Sequence, residues 1–254
     1  AHKGDFGRIL IIGSGSGMPG AVRLAGEAAL RVGAGLVTVA VAPENVGAVA
    51  SGRPELICLA IERGAQLEEP LERADVVAIG PGLGRTDWAR SLLRTALECG
   101  KPLVLDADAL NLLADDESVP RRGEWILTPH PGEAGRLLDL PTSEVQRDRL
   151  AALDQLVERF GGIVVLKGAG TLVGAANLTP GLCERGNPGM ATAGMGDVLT
   201  GAIAGILGQC RDPWLASRAG VLVHAMAGDA LARTGERGLL ATDVARELRT
   251  CVNL

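Results

Sequence analysis

A repeated order of short apolar runs, loops and helical segments dominates the chain. Each run is rich in Val, Ile and Leu and ends at a glycine-rich or acidic loop, as buried strands do. Strands are predicted at 8–13, 36–42, 55–61, 75–79, 102–105 and 124–127, with a hairpin at 162–167 and 171–175. Helices are predicted at 21–32, 87–98, 109–114, 134–138, 143–160, 198 onward, 213–233 and 242–250. This alternation predicts an α/β fold with a mostly parallel sheet.

The loops at the strand ends are the expected place for a ligand site. In open parallel sheets, ligands bind outside the carboxyl ends of the strands. The loops concerned are 13–20, 80–84, 106–111, 128–133 and 167–171. Neither a linker nor an internal repeat interrupts the pattern, so residues 1–254 are predicted to form a single domain.

Composition excludes several classes of protein. Apolar residues make up 47% and charged residues 22%, which is an ordinary globular balance. The net charge of −5 argues against a nucleic-acid-binding protein, which usually carries a basic surface. The most apolar runs, 202–207 and 221–232, are interrupted by Gly, Gln, His or Asp, so no membrane span is predicted.

Cysteine usage indicates the compartment. The five cysteines are odd in number and widely spaced, without a CxxC pair. We interpret them as reduced thiols and expect a cytoplasmic protein. The chain opens at Ala1 without an initiator Met, which suggests a processed chain or an excised domain.

The stretch 187–207, NPGMATAGMGDVLTGAIAGIL, carries the strongest chemical signal. Its glycines let backbone approach a ligand closely, and a helix from Val198 onward would direct free N–H groups at an anion. A carboxylate at Asp197 would repel a phosphate that was only being held. It makes sense as a base that takes the proton of a hydroxyl attacking phosphorus, so the stretch predicts phosphoryl transfer.

Other polar residues allow a structural interpretation beside a functional one. The turn 80–84 can be a plain strand-to-helix turn. Asp108 is predicted to cap helix 109–114, whereas Asp106 is predicted to face the cleft. His224 lies in an apolar helical run and is predicted to be a structural histidine with its hydrogen bonds satisfied. Lys167 can be a cation of the cleft or a solvated hairpin residue.

Two common nucleotide-binding motifs do not account for these loops. Residues 15–20, GSGMPG, formally fit G-x-G-x-x-G, with Glu44 near the place of a ribose-binding acid. However, Gly13 is the first glycine after the strand, so the register is off by two, and Pro19 interrupts the turn. No G-x-x-x-x-G-K-[ST] is present, which excludes a P-loop NTPase.

Six segments in chain order resemble the family of ADP/ATP-dependent NAD(P)H-hydrate dehydratases. They are HKGDFGRILIIGSGSGMPGA, IGPGLGR, LDADALNLL, LTPHPGEAGRLL, LKGAGTLV and NPGMATAGMGDVLTGAIAGIL. The match covers nearly the whole chain. Its G-x-G-D loop is shared with other ribokinase-like kinases, whereas TPHPGE and NPGMATAGMGD are not.

The resemblance implies a ribokinase-like fold with helices on both faces of the sheet. It implies a hydro-lyase that restores NAD(P)H from its hydrated form, using ADP or ATP as phosphoryl donor and Mg²⁺. NADH-hydrate and NADPH-hydrate would be substrates. A homo-oligomer is expected, and in many bacteria the domain follows an NAD(P)H-hydrate epimerase domain in one chain.

The resemblance also implies roles for individual residues. Asp197 would contact the substrate hydroxyl and act as catalytic base, and Glu133 would help to bind magnesium. In other ribokinase-like kinases the motif there is N-x-x-E, and this chain has His130 at the first position. Further substrate contacts would come from Ala21, Gly84 and His130. Nucleotide contacts would come from Lys167, Gly168, Ala169, Gly170, Thr171, Asn187, Gly194, Met195 and Gly196.

Two alternative functions remain open at this point. A ribokinase-like kinase of a small molecule would use the same G-x-G-D loop and the same base. A non-catalytic nucleotide-binding module would use the loop without the base.

Overall fold

The computed structural model describes residues 2–116 and 124–254. Within these residues, nine strands form one sheet. The strands are β1 (Arg8–Ile12), β2 (Leu36–Val41), β3 (Ile57–Ala60), β4 (Val76–Ile79), β5 (Leu103–Leu105), β6 (Trp125–Leu127), β7 (Ile163–Leu166), β8 (Thr171–Ala175) and β9 (Gly181–Cys183). Eight of these follow the predicted strands, whereas β9 is too short to give a pattern.

Eleven α-helices pack around this sheet in the described part of the chain. They are α1 (Pro19–Arg31), α2 (Val46–Gly52), α3 (Glu68–Arg73), α4 (Asp87–Glu98), α5 (Ala107–Ala114), α6 (Pro131–Leu138), α7 (Thr142–Arg147), α8 (Arg149–Phe160), α9 (Met195–Cys210), α10 (Pro213–Ala232) and α11 (Ala241–Cys251). None of the described helices has both the length and the apolarity needed to cross a membrane.

The sheet is mostly parallel, as predicted. Its strand order is β3-β2-β1-β4-β5-β6-β7-β8-β9. Strands β1 to β7 pair in parallel, and the predicted hairpin adds β8 antiparallel to β7, followed by β9 antiparallel to β8.

Helices cover both faces of the sheet, because side chains alternate along each strand. On β1, Ile9 and Ile11 belong to one apolar core, which includes buried residues of α1, α9, α10 and α11. Leu10 and Ile12 belong to the other core, which includes buried residues of α4, α5, α6 and α8. Strands buried on both faces explain the nearly unbroken apolar runs in the sequence.

The predicted helix 143–160 is two helices in the structure. The chain leaves helical geometry at Asp148, with φ −142° and ψ 86°. The Asp148 carboxylate accepts a hydrogen bond of 2.9 Å from the Ala151 N–H and thereby caps α8. An aspartate competes for backbone donors in this way, which ends one helix and starts the next.

The strand order places a crevice beside β1. The chain passes from β1 to β2 on one side of β1, while β4 pairs with the other side of β1. The loops that follow β1 and β4 therefore border the crevice. These loops are tied together: Ser14 N–H donates to the Pro81 carbonyl at 2.9 Å, and Gly15 N–H to Gly82 at 2.7 Å. A Cβ on Gly13 would lie 2.1 Å from the Pro81 oxygen, so glycine is required there.

Candidate active site

Helix α9 begins at the glycine loop, earlier than predicted. Gly194 adopts a left-handed conformation with φ 87°, which lets the helix begin at Met195 instead of Val198. Val198 N–H donates to the Gly194 carbonyl at 3.0 Å, so it is not free to bind an anion. The N–H groups of Met195, Gly196 and Asp197 precede the first intrahelical bond. Asp197 therefore lies in the first helical turn, next to these donors.

A buried group of charges lies beside this turn. Lys167 Nζ, after β7, donates to Asp106 Oδ1 at 2.6 Å and lies 3.8 Å from Glu133 Oε2. Thr128 Oγ1 donates to the same Asp106 oxygen at 2.8 Å. A Cβ on Gly196 would stand 3.3 Å from Lys167 Nζ, so the ammonium lies close to the start of α9. The interpretation of Lys167 as a solvated hairpin residue is thus wrong.

Attraction between opposite charges stabilises the ionised forms of Asp106 and Lys167, but not that of Glu133. Burial opposes ionisation of Asp106, which is 1% exposed, but the Lys167 ammonium and its hydrogen bonds hold the Asp106 pKa below its usual value. Burial also disfavours the charged form of Lys167, yet Asp106 and Glu133 raise the Lys167 pKa. Desolvation is the largest influence on Glu133 and raises its pKa, against the attraction of Lys167. Asp106 and Lys167 are therefore a buried ion pair.

Asp197 lies near the same charges, but its pKa is raised whereas that of Asp106 is lowered. Burial, with repulsion from Asp106, raises the pKa of Asp197 to about 7, although Lys167 opposes the rise. A carboxyl group with this pKa exchanges protons near neutral pH, as a general base should. Perturbed groups of this kind are typical of functional sites.

The raised pKa predicts that Asp197 destabilises the fold at high pH. The folded protein retains a proton that the unfolded chain releases, so stability falls as pH rises from about 4 to about 7. Asp197→Asn removes this dependence. In urea titrations, the variant should match the wild type near pH 4 and exceed it by on the order of 2–4 kcal/mol at pH 8. Parallel curves at all pH values would contradict the prediction.

A cavity of about 550 Å³ lies against the start of α9. Eight of the nine residues predicted to bind nucleotide line it: Lys167, Gly168, Ala169, Gly170, Thr171, Asn187, Met195 and Gly196. The ninth, Gly194, instead provides the turn into α9. Residues distant in the sequence thus form one wall, next to the charges around Lys167.

Two residues that the sequence analysis missed hold the cavity loops in place. Arg149 donates to the Ala169 carbonyl and, at 3.0 Å, to the Leu166 carbonyl. Asp229 accepts from the Asn187 side chain and from the Gly186 N–H, both at 3.1 Å. No sequence pattern signals Arg149, which simply follows the break at Asp148.

The predicted substrate contacts Ala21 and Gly84 lie at the crevice between the β1 and β4 loops. Ala21 is close to Gly82, since a Cβ on Gly82 would lie 2.9 Å from the Ala21 Cβ. Gly84 has φ 76°, and a Cβ there would meet nothing within 4 Å, so this backbone faces open space. Gly84 N–H donates to Asp108 Oδ2 at 2.8 Å.

The predicted capping role of Asp108 is wrong. Helix α5 begins at Ala107, so Asp108 lies inside the helix and Asp106 occupies the cap position. Ala107 has φ 47°, unusual for a residue with a side chain. Asp106 itself lies buried against Lys167 and does not line an open cleft.

His130 caps α6, a role the sequence analysis did not assign. Its Nδ1 accepts from the Gly132 and Glu133 N–H groups at 3.0 and 3.2 Å. The Glu133 carboxylate accepts from the His130 N–H at 2.8 Å, which completes a capping box. Glu133 thus lies in the first turn of α6, where a carboxylate stabilises the helix N-terminus. The His130 ring is half exposed, so it is accessible to a ligand as well.

Paired variants separate the two roles of His130. His130→Ala should cost about 1 kcal/mol of unfolding free energy, because the cap is lost. His130→Asn keeps a capping side chain and should stay close to wild-type stability. If the ring also contacts substrate, both variants should raise KM; an unchanged KM in the Asn variant would restrict His130 to capping.

The predicted role of Glu133 as a magnesium ligand does not fit its surroundings. Glu133 is 4% exposed, and its oxygens are engaged by the His130 N–H, the His130 ring and Lys167. The described residues include no group of three or more acidic, Cys or His side chains that could hold a metal. Magnesium commonly binds through substrate phosphates, so it would enter with the nucleotide.

His224 differs from its prediction as a satisfied structural histidine. It is buried on α10 and lines the cavity. The buried Nε2 of the ring has no hydrogen-bond partner among the described residues. Burial lowers the pKa of His224 to about 4, so the ring is neutral at physiological pH.

Comparisons with known proteins identify relatives of this chain. The family described as NAD(P)H-hydrate dehydratase matches residues 9–250. A bifunctional NAD(P)H-hydrate repair enzyme of Coxiella burnetii is 55% identical over 100% of this chain, which covers 52% of that relative. An ADP-dependent (S)-NAD(P)H-hydrate dehydratase of Neisseria meningitidis is 39% identical, with 98% of this chain and 86% of the relative covered. The chain spans about half the length of the bifunctional relatives it matches.

Solved structures show the same fold. A ribokinase-like superfamily protein of Enterococcus faecalis has a TM-score of 0.89 and 34% identity, with 100% of this chain and 89% of the other covered. An ADP/ATP-dependent NAD(P)H-hydrate dehydratase of Bacillus subtilis, co-crystallised with ATP and Mg²⁺, has a TM-score of 0.88 and 29% identity, with 99% and 90% covered. The predicted ribokinase-like fold is thus confirmed.

Proposed function

Because this chain belongs to the NAD(P)H-hydrate dehydratase family, we propose that it is a hydro-lyase that restores NAD(P)H from hydrated NADH or NADPH. The phosphoryl donor is ADP or ATP. One observation carries the proposal furthest: Asp197, with a pKa of about 7, lies in the first turn of α9 beside a cavity lined by the proposed nucleotide segments.

The chemistry begins with a poor leaving group. The hydrate carries a hydroxyl on C6 of its nicotinamide ring, and hydroxide does not leave readily at neutral pH. Asp197 accepts the hydroxyl proton while the oxygen attacks the terminal phosphorus, and the bond from phosphorus to the nucleotide oxygen breaks. A positioned base of this kind contributes about 10²- to 10⁴-fold.

Backbone donors and Lys167 stabilise the phosphoryl group during transfer. The N–H groups of Met195, Gly196 and Asp197 face the position where negative charge develops. Lys167 Nζ stands beside Gly196, and Asp106 engages one of its three N–H donors. Magnesium bound to the nucleotide phosphates would neutralise further charge.

Elimination completes the reaction. The lone pair of the ring nitrogen expels phosphate by cleaving the C6–O bond, and loss of a C5 proton then forms the C5–C6 double bond of NAD(P)H. The phosphate is therefore added only to be removed. Transfer to a hydroxyl and loss of that hydroxyl are parts of one cycle.

Incubation of the protein with hydrated NADH, Mg²⁺ and either ADP or ATP tests this function. A dehydratase restores the absorbance of reduced nicotinamide and releases phosphate in equal amounts. A small-molecule kinase would accumulate a phosphorylated product, and a nucleotide-binding module would consume nothing. An oxidoreductase would need a second redox substrate and no ADP. Absence of recovery with both donors would refute the assignment.

Several parts of the proposal do not depend on the geometry of the site. Residues 1–254 act as one dehydratase domain, and this chain covers 52% of a bifunctional relative. The fusion to an epimerase domain that the resemblance implies stays a prediction. A cytoplasmic location and a homo-oligomeric state stay predictions. The Neisseria relative is called ADP-dependent and the Bacillus structure ADP/ATP-dependent, which favours ADP as a donor here.

A further inference from the structure

One step of the proposed reaction still lacks a proton acceptor. Asp197 takes the proton of the C6 hydroxyl, so it is protonated when phosphate leaves. The ring is then a cation with a double bond between N1 and C6, and a proton on C5 must be removed before NAD(P)H forms. A base has to lie within reach of the proton that it abstracts, so a second acceptor is needed beside the nicotinamide ring.

The sheet topology places Asp108 between two of the proposed substrate contacts. Strands β4, β5 and β6 are neighbours that pair in parallel, so the segments after them emerge side by side at one edge of the sheet. Gly84 follows β4, Asp108 follows β5 and His130 follows β6. Neighbouring strands are about 4.8 Å apart. A ring that contacts both Gly84 and His130 therefore lies over the start of α5, where Asp108 stands.

The Asp108 carboxylate reaches the crevice beside Gly84. The residue is partly exposed, and its Oδ2 accepts a hydrogen bond of 2.8 Å from the Gly84 N–H. Within the described residues, Oδ1 has one long contact of 3.5 Å with Asn111 Nδ2, which leaves lone pairs for a proton. Burial is the main cause of the raised pKa of Asp197, and the charge of Asp108 adds to it. The two carboxylates thus belong to one site.

The proton acceptors next to Asp108 are already engaged. Asp106 is 1% exposed and is bound by the Lys167 ammonium. Glu133 is 4% exposed and accepts from the His130 N–H. The His130 ring accepts two backbone N–H groups of α6 at Nδ1. In the described first turns after β5 and β6, Asp108 is therefore the acid with an accessible oxygen.

We propose that Asp108 is the catalytic base that removes the C5 proton and completes the elimination. The C5–H bond breaks, and its electron pair forms the C5–C6 double bond. The electron pair of the N1–C6 double bond returns to the ring nitrogen, and the proton moves to the Asp108 carboxylate. Asp108 releases this proton to solvent before the next cycle. The proposal rests on the proposed function and assigns the acceptor of its last step.

A single turnover of Asp108→Asn with ADP, Mg²⁺ and hydrated NADH separates the two halves of the reaction. The amide oxygen still accepts a hydrogen bond from the Gly84 N–H, so the loop should keep its place while the base is lost. AMP should form at close to the wild-type rate, because Asp197 is intact. NADH should form about 10²- to 10⁴-fold more slowly, whereas the wild type forms AMP and NADH in equal amounts.

An isotope and two further variants show whether C5 is the affected position. Deuterium at C5 of the hydrate should slow NADH formation in Asp108→Asn further and leave AMP formation unchanged. Asp108→Glu puts a carboxylate back and should recover part of the NADH rate. Asp115→Asn is the matched control, because Asp115 is an exposed acid at the other end of α5 that pairs with Arg85. AMP and NADH should stay equal in this variant.

The wild type and the variant distinguish two kinds of failure. A wild type that forms no NADH from the hydrate would refute the proposed function and, with it, the assignment of Asp108. If the wild type converts the hydrate but Asp108→Asn slows AMP and NADH equally, Asp108 only supports the loop and the assignment is wrong. Unchanged rates of both products in Asp108→Asn would contradict it as well.

Discussion

Asp197→Asn is expected to lower kcat by about 10²- to 10⁴-fold while ADP still binds. Asparagine has nearly the same shape but cannot take the proton of the attacking hydroxyl. The donors at the start of α9 are backbone N–H groups and are unaffected by the change. Recovery of reduced nicotinamide measures the rate, and calorimetric titration with ADP measures binding.

An exposed carboxylate serves as the control for this variant. Asp154 on α8 is exposed to solvent, so Asp154→Asn should leave both the rate and the binding unchanged. The rate of the wild type should rise with pH through about 7, because Asp197 must be ionised to act as base. A near wild-type rate in Asp197→Asn would show that another group accepts the proton.

Lys167→Met should produce the largest loss of stability among the charge variants. It leaves Asp106 buried without its cation, and breaking one side of a buried ion pair costs about 3–5 kcal/mol. Turnover should fall as well, because the ammonium lies beside the nucleotide cavity. Urea denaturation at pH 7 measures the free energy of unfolding.

The double variant Asp106→Asn/Lys167→Met tests the cause of that loss. Removing both charges should return part of the lost stability, since no uncompensated carboxylate remains. Lys101→Met is the control lysine: Lys101 Nζ donates to the exposed backbone carbonyl of Glu72, and its loss should stay within about 0.5 kcal/mol. Equal destabilisation in the single and double variants would refute the ion-pair explanation.

The sheet was predictable because its signals are local. A strand buried on both faces leaves an apolar run, and a strand-end loop leaves glycine or an acid, as at Ile79 followed by Gly80. The early start of α9 was not predictable, because it depends on the left-handed conformation of Gly194. The break at Asp148 was not predictable either, because it depends on the Asp148 carboxylate capping α8 instead of the helix continuing through this residue.

The candidate site was only partly predictable, because its energetics come from contacts distant in the sequence. The type and loop position of Asp197 indicated a base, but its raised pKa comes from burial and from Asp106. Asp106 and Lys167 are 61 residues apart, and no local pattern announces their pairing. The unpaired Nε2 of His224 is visible only when α10 is packed against the cavity.

The most direct test of the account follows the oxygen of the substrate hydroxyl. Hydrated NADH carrying ¹⁸O at the C6 hydroxyl is converted with ADP and Mg²⁺ in unlabelled water. The isotopic mass of the released phosphate is then measured by mass spectrometry. If Asp197 directs phosphorylation of that hydroxyl, the C6–O bond breaks last and each phosphate carries one ¹⁸O. Unlabelled phosphate would mean that water, not the substrate, received the phosphoryl group, and it would contradict the mechanism.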